Sequence, residues 1–229
     1  MVEYPYQLTD GVVMPNWVYN SLHCHGSNED LDKLQEFLRM EIRVNKFDMK
    51  TRTNYYEIEP VDFTYMAIRN PFLPPYNVSE DEYHGTNGFV DGKKVGDTAG
   101  NWYNWNVSHW GVKWDACRET VERHDDLLSY HFESPWGPPA EEMMLELSEK
   151  FPTIAFTHRY DEEQGWGGEY EFQNGEITNL EEWDIPESHA DHVALDQTCS
   201  CEMWTDDPDM WYADCPAKIE HDAKELANA

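Results

Sequence analysis

The sequence predicts an α+β fold of the split βαβ kind, an antiparallel sheet with helices on one face. Three observations carry this. Two helical patterns, one opening at Ser27 and one at Pro138-Pro139, alternate with runs of period two. The later runs come in hairpin pairs, with turn chemistry at His124-Asp125-Asp126 and at Asn174-Gly175. Four tryptophans, Trp102, Trp105, Trp110 and Trp114, fall within thirteen residues, dense enough to pin an element onto a sheet.

Residues 1–13 read as an N-terminal extension. From Trp17 to His25 one alternating set is Val18, Asn20, Leu22 and Cys24, with Asn20 the polar exception; the other is Trp17, Tyr19, Ser21, His23 and His25. That is a half-buried strand, ended by Gly26. Ser27 with an acid three residues on, at Asp30, starts a helix. Leu31, Leu34, Phe37 and Leu38 carry its spacing to about Arg43. A polar segment follows, and Val61 to Asn70 reads as a central strand, apolar on both faces. Pro71 to Gly100, rich in proline and glycine, reads as a loop insertion. In the tryptophan stretch Trp102 and Trp105 share a helical face, and Gly111 stops the turn.

Trp114 to Glu122 and Leu127 to Ser134 then form a hairpin, with Leu128, Tyr130 and Phe132 on one side. Pro138-Pro139 starts a helix whose buried face is Met143, Met144, Leu147 and Phe151, and Pro152 stops it. Ile154, Phe156, His158 and Tyr160 alternate as a strand. Glu169 to Phe172 is another, and Glu176 to Leu180 a short third beyond Asn174-Gly175. Periodicity fades after residue 183, where an irregular acidic tail, 183–229, is expected to dock on the core and to end in a helix from Pro216 to Asn228. The core domain is thus 14–182, with its insertion about 71–100, and its order of elements is ferredoxin-like.

Met14-Pro15-Asn16-Trp17, with Asn20 and Gly26, resembles the opening of the YubB-like, or "MPNW", proteins of phages and plasmids. Asn101-Trp102-Tyr103-Asn104-Trp105-Asn106 followed by Trp110-Gly111-Val112-Lys113-Trp114-Asp115-Ala116 resembles that family's central motif. Trp136 and Pro138, Leu147 to Pro152, and Gly168-Glu169-Tyr170 continue the likeness, which spans roughly 14–182. The resemblance implies a ferredoxin-like domain of phage or mobile-element origin, in the cytoplasm of an infected or plasmid-bearing bacterial cell. It implies no reaction, because fold and function are separable.

Charge limits the function classes. Sixteen Lys plus Arg face 46 Asp plus Glu, a formal net charge of −30. Such a chain is repelled by nucleic-acid phosphates and by anionic membranes, and is steered toward basic partners. No apolar run approaches a membrane span. Met1 to Asp10 shows no export signal, and five cysteines, an odd number, fit reduced thiols.

No nucleophile elbow, phosphate loop or zincin motif is present. His131 with Glu133, and His158, read as hydrogen-bonded structural histidines rather than acid–base groups. In His23-Cys24-His25 the two histidines share a strand face and the thiol takes the other, which favours a buried thiol over a metal site. Cys199, Cys201, Cys215, His189 and His192 form the other candidate, but Cys-x-Cys is tighter than the usual zinc spacing. The expectation is no cofactor, with zinc in the tail as the alternative. Trp17, Trp102, Trp105, Trp110, Trp114 and Trp136 read as a structural aromatic anchor, with an aromatic ligand platform as the alternative. Glu80, Asp81, Glu82, Asp161, Glu162, Glu163, Asp206 and Asp207 read as an acidic interaction surface. The expected function is therefore non-enzymatic, binding of a basic or nucleic-acid-binding protein without direct contact to nucleic acid. A DNA-mimic inhibitor is the first rival, and an enzyme or small-molecule binder at the tryptophans the second.

Overall fold

A computed structural model describes residues 16–48, 50–83, 89–90, 93–94, 101–194, 208 and 211–228. The chain divides into two units, Met1–Glu163 with Gly168–Glu181, and Gln164–Gly167 with Glu182–Ala229. In the first, strand β1 (Trp17–His25) is followed by helix α1 (Asn28–Leu38), then by strands β2 (Met40–Asp48) and β3 (Thr53–Val61). A 3-10 turn (Tyr65–Ala67), a short helix α2 (Glu80–Tyr83) and two two-residue strands, β4 (Phe89–Val90) and β5 (Lys93–Lys94), come next. Helix α3 (Trp102–His109) leads to the hairpin β6 (Cys117–His124) and β7 (Leu127–Pro135), helix α4 (Glu141–Lys150), and strands β8 (Ala155–Glu162), β9 (Gly167–Gln173) and β10 (Glu176–Trp183).

The main sheet has six strands in the order β10-β9-β8-β1-β7-β6, with β1 antiparallel to both β7 and β8. Reading β8-β1-β7-β6 with α1 after β1 and α4 after β7 reproduces the ferredoxin-like order; β9 and β10 extend it past β8. The alternation of β1 places Val18, Leu22 and Cys24 in the core. Leu128, Tyr130 and Phe132 of β7 and Phe156 of β8 line the same buried face. Leu31, Leu34 and Leu38 of α1 and Met143, Met144 and Leu147 of α4 close over it, each with 0% exposure. Burying one such side chain stabilises by about 1.5–3 kcal/mol.

Ser27 caps α1, accepting from the Asp30 N–H at 3.2 Å while its hydroxyl donates to the Asp30 carboxylate. The helix stops at Leu38, not at Arg43. Arg39 takes extended backbone and its guanidinium grips Asp62 at 2.6 Å. That contact joins the ends of β2 and β3, whose register runs from Met40↔Val61 to Asp48↔Thr53. Ile42 and Val44 favour this hairpin over a further helical turn.

Val61 to Asn70 is not a central strand. Thr64 turns the chain by accepting from Met66 N–H at 3.1 Å, and the Asp115 carboxylate accepts from Tyr65 N–H at 2.7 Å and from the Thr64 hydroxyl. The run is apolar on all sides because it crosses the buried face: Phe63 stacks on Phe132 at 4.6 Å and Tyr65 meets Trp110 at 5.9 Å. Helix α4 begins two residues after Pro139, at Glu141, with Ala140 as N-cap. The Ala140 N–H donates to Trp110 O at 2.7 Å, and Gly111 beside it has φ +80°. A Cβ on Gly111 would lie 2.8 Å from that nitrogen, so glycine is required on both counts.

Asn20, the polar exception in β1, belongs to a buried chain of hydrogen bonds. Its Nδ2 donates to Val18 O and Ser134 Oγ, both at 2.9 Å, so its Oδ1 faces the His158 ring and accepts from Nε2–H at 3.0 Å. His158 Nδ1 then accepts from the Tyr170 hydroxyl at 2.9 Å, and the Ser134 hydroxyl donates to Gly137 O at 2.6 Å. The imidazole is neutral and wholly enclosed, and burial drives its pKa down to about 3. Burial pushes the enclosed Asp115 carboxyl up to about 6, against the pull of its three hydrogen bonds.

In the second unit, helix α5 (His189–Ala194) and helix α6 (Pro216–Asn228) flank a turn held by Tyr212, whose hydroxyl donates to Pro186 O at 2.6 Å. Ile219 and Leu226 of α6 are exposed, so its apolar face is as thin as the sequence implies.

The His158 imidazole fixes an expected pH dependence. Its folded pKa lies below the unfolded value, so the unfolded chain binds the extra proton and stability falls as pH drops from about 6.5 toward 3. Asp115 works oppositely, its contribution being fully present below about pH 4 and lost as pH rises through about 6. Urea unfolding of wild type and His158→Gln at pH 7 and pH 5 separates them: wild type loses about 2 kcal/mol more than the variant over that interval. Equal losses would show that His158 does not carry the effect.

Candidate functional site: the open face of the sheet

The side of the sheet away from the helices carries the second alternating set of β1. Trp17, Tyr19, Ser21, His23 and His25 run along one line, Tyr19 with 50% exposure. On β7 the same side shows Ser129, His131 and Glu133, which are the register partners of His23, Ser21 and Tyr19. The face spans about 27 Å from Trp17 to His25, at the usual rise of a strand.

Its Trp17 end is an aromatic platform. The Trp17 and Trp114 rings lie 6.2 Å apart and the Trp114 and Trp136 rings 5.7 Å, tilted by 35° and 38°. Two cations lie against them. Lys113 Nζ is 4.6 Å from the Trp114 ring and 5.3 Å from that of Trp136, and the Arg118 guanidinium is 5.3 Å from Trp17. Such contacts are worth about 0.5–1 kcal/mol each at exposed positions. Arg118 also pairs with Glu133. The Tyr19 hydroxyl is held above its ordinary pKa by burial and by Glu163 and Glu133, against the pull of Arg118.

Each part is positioned from the core. Asn106 of α3 accepts from the Tyr83 hydroxyl at 2.7 Å and donates to Lys113 O at 2.9 Å, which sets Lys113 and Trp114 on the rim. Arg118 sits in a register irregularity of the β6–β7 pairing with φ +52°. Trp136 has φ +63°, its N–H donates to Asn16 O at 2.8 Å, and it is 46% exposed. A bulky residue in left-handed backbone costs about 1–2 kcal/mol, and strain of this kind gathers at functional sites.

The six tryptophans read as one anchor do not form one: two are core, three form the platform, and one belongs to neither group. Trp105 and Trp110 are core, each with 2% exposure; they meet edge to face at 5.5 Å, and Trp110 Nε1 donates to Arg69 O at 3.0 Å. Trp17, Trp114 and Trp136 form the platform, and Trp102 is half-buried beside Tyr103. Lys113 and Arg118 were not singled out in the sequence. Their adjacency to Trp114 and to the start of β6 was the available signal.

The described acidic residues have separate local roles. Glu82 caps its own helix, accepting from the Ser79 hydroxyl at 2.7 Å, and Asp161 pairs with Arg159 at 2.9 Å. Glu162 is buried, with 4% exposure, which corrects its place on a solvated surface. Glu80 and Glu163 are exposed, while the Asp81 side chain, Asp206 and Asp207 lie outside the described residues. Cys199 and Cys201 lie outside them as well. His189 opens α5, its N–H donating to Asp214 at 2.8 Å. His192 Nε2 is 3.0 Å from the Tyr212 hydroxyl, and Cys215 is buried. Among the described residues no three His, Cys, Asp or Glu side chains group to hold a metal ion. No described helix is long and apolar enough to cross a membrane.

Strand order and open face together define a ferredoxin-like α+β domain with an aromatic-ended sheet. Residues 109–202 match the family described as "Ferredoxin-like domain in Api92-like protein". A crystal structure of a protein api92 from Yersinia pseudotuberculosis is similar over 75% of this chain and 99% of that one, at 12% identity and a TM-score of 0.46. No curated protein matches the chain. The match begins at the second half of the tryptophan stretch and agrees with the ferredoxin-like strand order.

Core and platform are separable by mutation. Trp105→Ala is expected to cost about 3–5 kcal/mol, as for other buried aromatics. Trp136→Gly, which removes a strained left-handed side chain, is expected to raise stability by about 1 kcal/mol. Denaturant melts of the two variants check both signs. A wild-type melt for Trp105→Ala would remove it from the core, and a destabilised Trp136→Gly would make that ring structural.

Proposed function

We propose that this is a non-enzymatic accessory protein that binds another protein through the aromatic end of its open sheet face. The observation that carries the reading is Trp136, exposed and held in left-handed backbone beside Trp114 and Lys113. Trp, Tyr and Arg are the residues that dominate binding energy at protein interfaces, and Trp17, Tyr19, Trp114, Arg118 and Trp136 supply all three types on one surface. Loops on a rigid scaffold carry recognition, and three of these side chains come from loops or an irregular strand start. The resemblance to phage and plasmid proteins supports a host or phage protein as the partner, in a bacterial cytoplasm. A net charge of −30 supports a basic or nucleic-acid-binding partner, whose encounter it accelerates.

The DNA-mimic reading draws on net charge alone. A small-molecule reading would want a cavity at the tryptophans; one cavity of about 510 Å³ among the described residues is lined instead by Phe37, Met40, Met66, Leu73 and Tyr76.

Affinity capture from a bacterial lysate tests the proposal. Wild type is expected to retain a partner, less of it at high salt, and Trp136→Ala is expected to lose at least tenfold in capture while melting within about 0.5 kcal/mol of wild type. Capture that survives both Trp136→Ala and Trp114→Ala, or micromolar binding to duplex or single-stranded DNA, overturns it. No cofactor enters this reading, so a chelator is expected to leave the capture unchanged; capture lost on chelation would make a metal part of the interface.

A further inference from the structure

The other end of the open face carries a second constellation, independent of the aromatic one. Two Ser-x-His tripeptides, Ser21-Leu22-His23 on β1 and Ser129-Tyr130-His131 on β7, run antiparallel in direct register, Ser21 opposite His131 and His23 opposite Ser129. Each histidine takes the serine across from it. Ser21 Oγ lies 3.0 Å from His131 Nδ1, and Ser129 Oγ lies 2.8 Å from His23 Nδ1. The arrangement has a local two-fold symmetry, and both rings are half-buried on the side away from the helices.

We propose that His23 and His131 bind one first-row transition-metal ion of the imidazole-preferring kind, Cu2+ or Zn2+, through their Nε2 atoms. In the tautomer that carries its proton on Nδ1, each ring donates to the serine hydroxyl across from it and keeps the Nε2 lone pair for the ion; a second hydrogen bond of this type orients metal-ligating histidines generally. The ring centroids are 5.8 Å apart with planes at 76°. Two imidazoles on one tetrahedral ion, each with a metal–nitrogen bond of about 2.0–2.1 Å, place their centroids about 5 Å apart, within reach of a small side-chain rotation. Among the described residues no third ligand completes the group. The remaining positions are open to water or to a donor brought by a bound molecule, as in sites that exchange ligands.

The test is calorimetric titration of the purified full chain with CuCl2 and with ZnCl2 in a non-chelating buffer, beside NMR of the histidine rings during Cu2+ addition. One saturable equivalent is expected, weakened at least tenfold in His23→Gln and in His131→Gln, and about tenfold in Ser129→Ala. The exposed His124→Gln is expected to behave as wild type. Paramagnetic broadening should fall first on the rings of His23 and His131, a reading that needs no variant. Absence of saturable binding, or binding unchanged in the His23→Gln/His131→Gln double variant, overturns the proposal and in the latter case places the ion elsewhere.

Discussion

Tyr170, His158, Asn20, Ser134 and the carbonyl of Gly137 form a single file of hydrogen bonds through the middle of the sheet. The file crosses β9, β8, β1 and β7 and ends in the loop that follows β7. Every polar atom it buries has a partner, which is the condition under which a buried network specifies one register instead of costing stability. A slip of β1 by one residue would turn Asn20 outward, bring Tyr19 or Ser21 into its place, and carry Val18, Leu22 and Cys24 to the other side of the sheet. The last link matters most for the surface. Ser134 and Gly137 bracket Trp136, so the strained turn that presents this ring is tied directly to the core network.

Where residues near in sequence decide the structure, the sequence was readable. The alternation of Trp17 to His25, the Ser27 cap, the Asn174-Gly175 turn and the helix from Pro216 to Asn228 all stand as read. Distant partners account for what was misread. The turn at Thr64 depends on Asp115, 51 residues away, and without it an apolar run looks like a strand. The β2–β3 hairpin pairs Met40 with Val61 across the ladder, beside the Arg39–Asp62 contact, and its charged positions hide the period of two. The site was half legible. Tryptophan density marked the region, but which rings are buried follows from the left-handed backbone at Arg118 and Trp136, a conformation no residue type there announces.

One line of β1 joins two kinds of chemistry. Its first residues are aromatic and flanked by cations; its last are imidazoles steadied by hydroxyls. The cations carry weight beyond their number, since 16 basic residues serve a chain with 46 acids. Lys113 and Arg118 lie on ring faces near the rim, and Arg118 is at the same time neutralised by Glu133.

The sheet also has two borders, β6 and β10, and their composition limits how any neighbour could attach. Exposed positions of β6 are Arg118, Thr120, Glu122 and His124, and β10 exposes Glu176, Thr178, Glu181 and Glu182. Charged side chains along a border discourage the addition of a further strand from another molecule. Backbone pairing at the sheet rim is thereby made costly, for an aggregating copy as much as for an extended peptide. A neighbour approaching the main sheet would meet its flat face and its loops, and contact there would proceed through side chains.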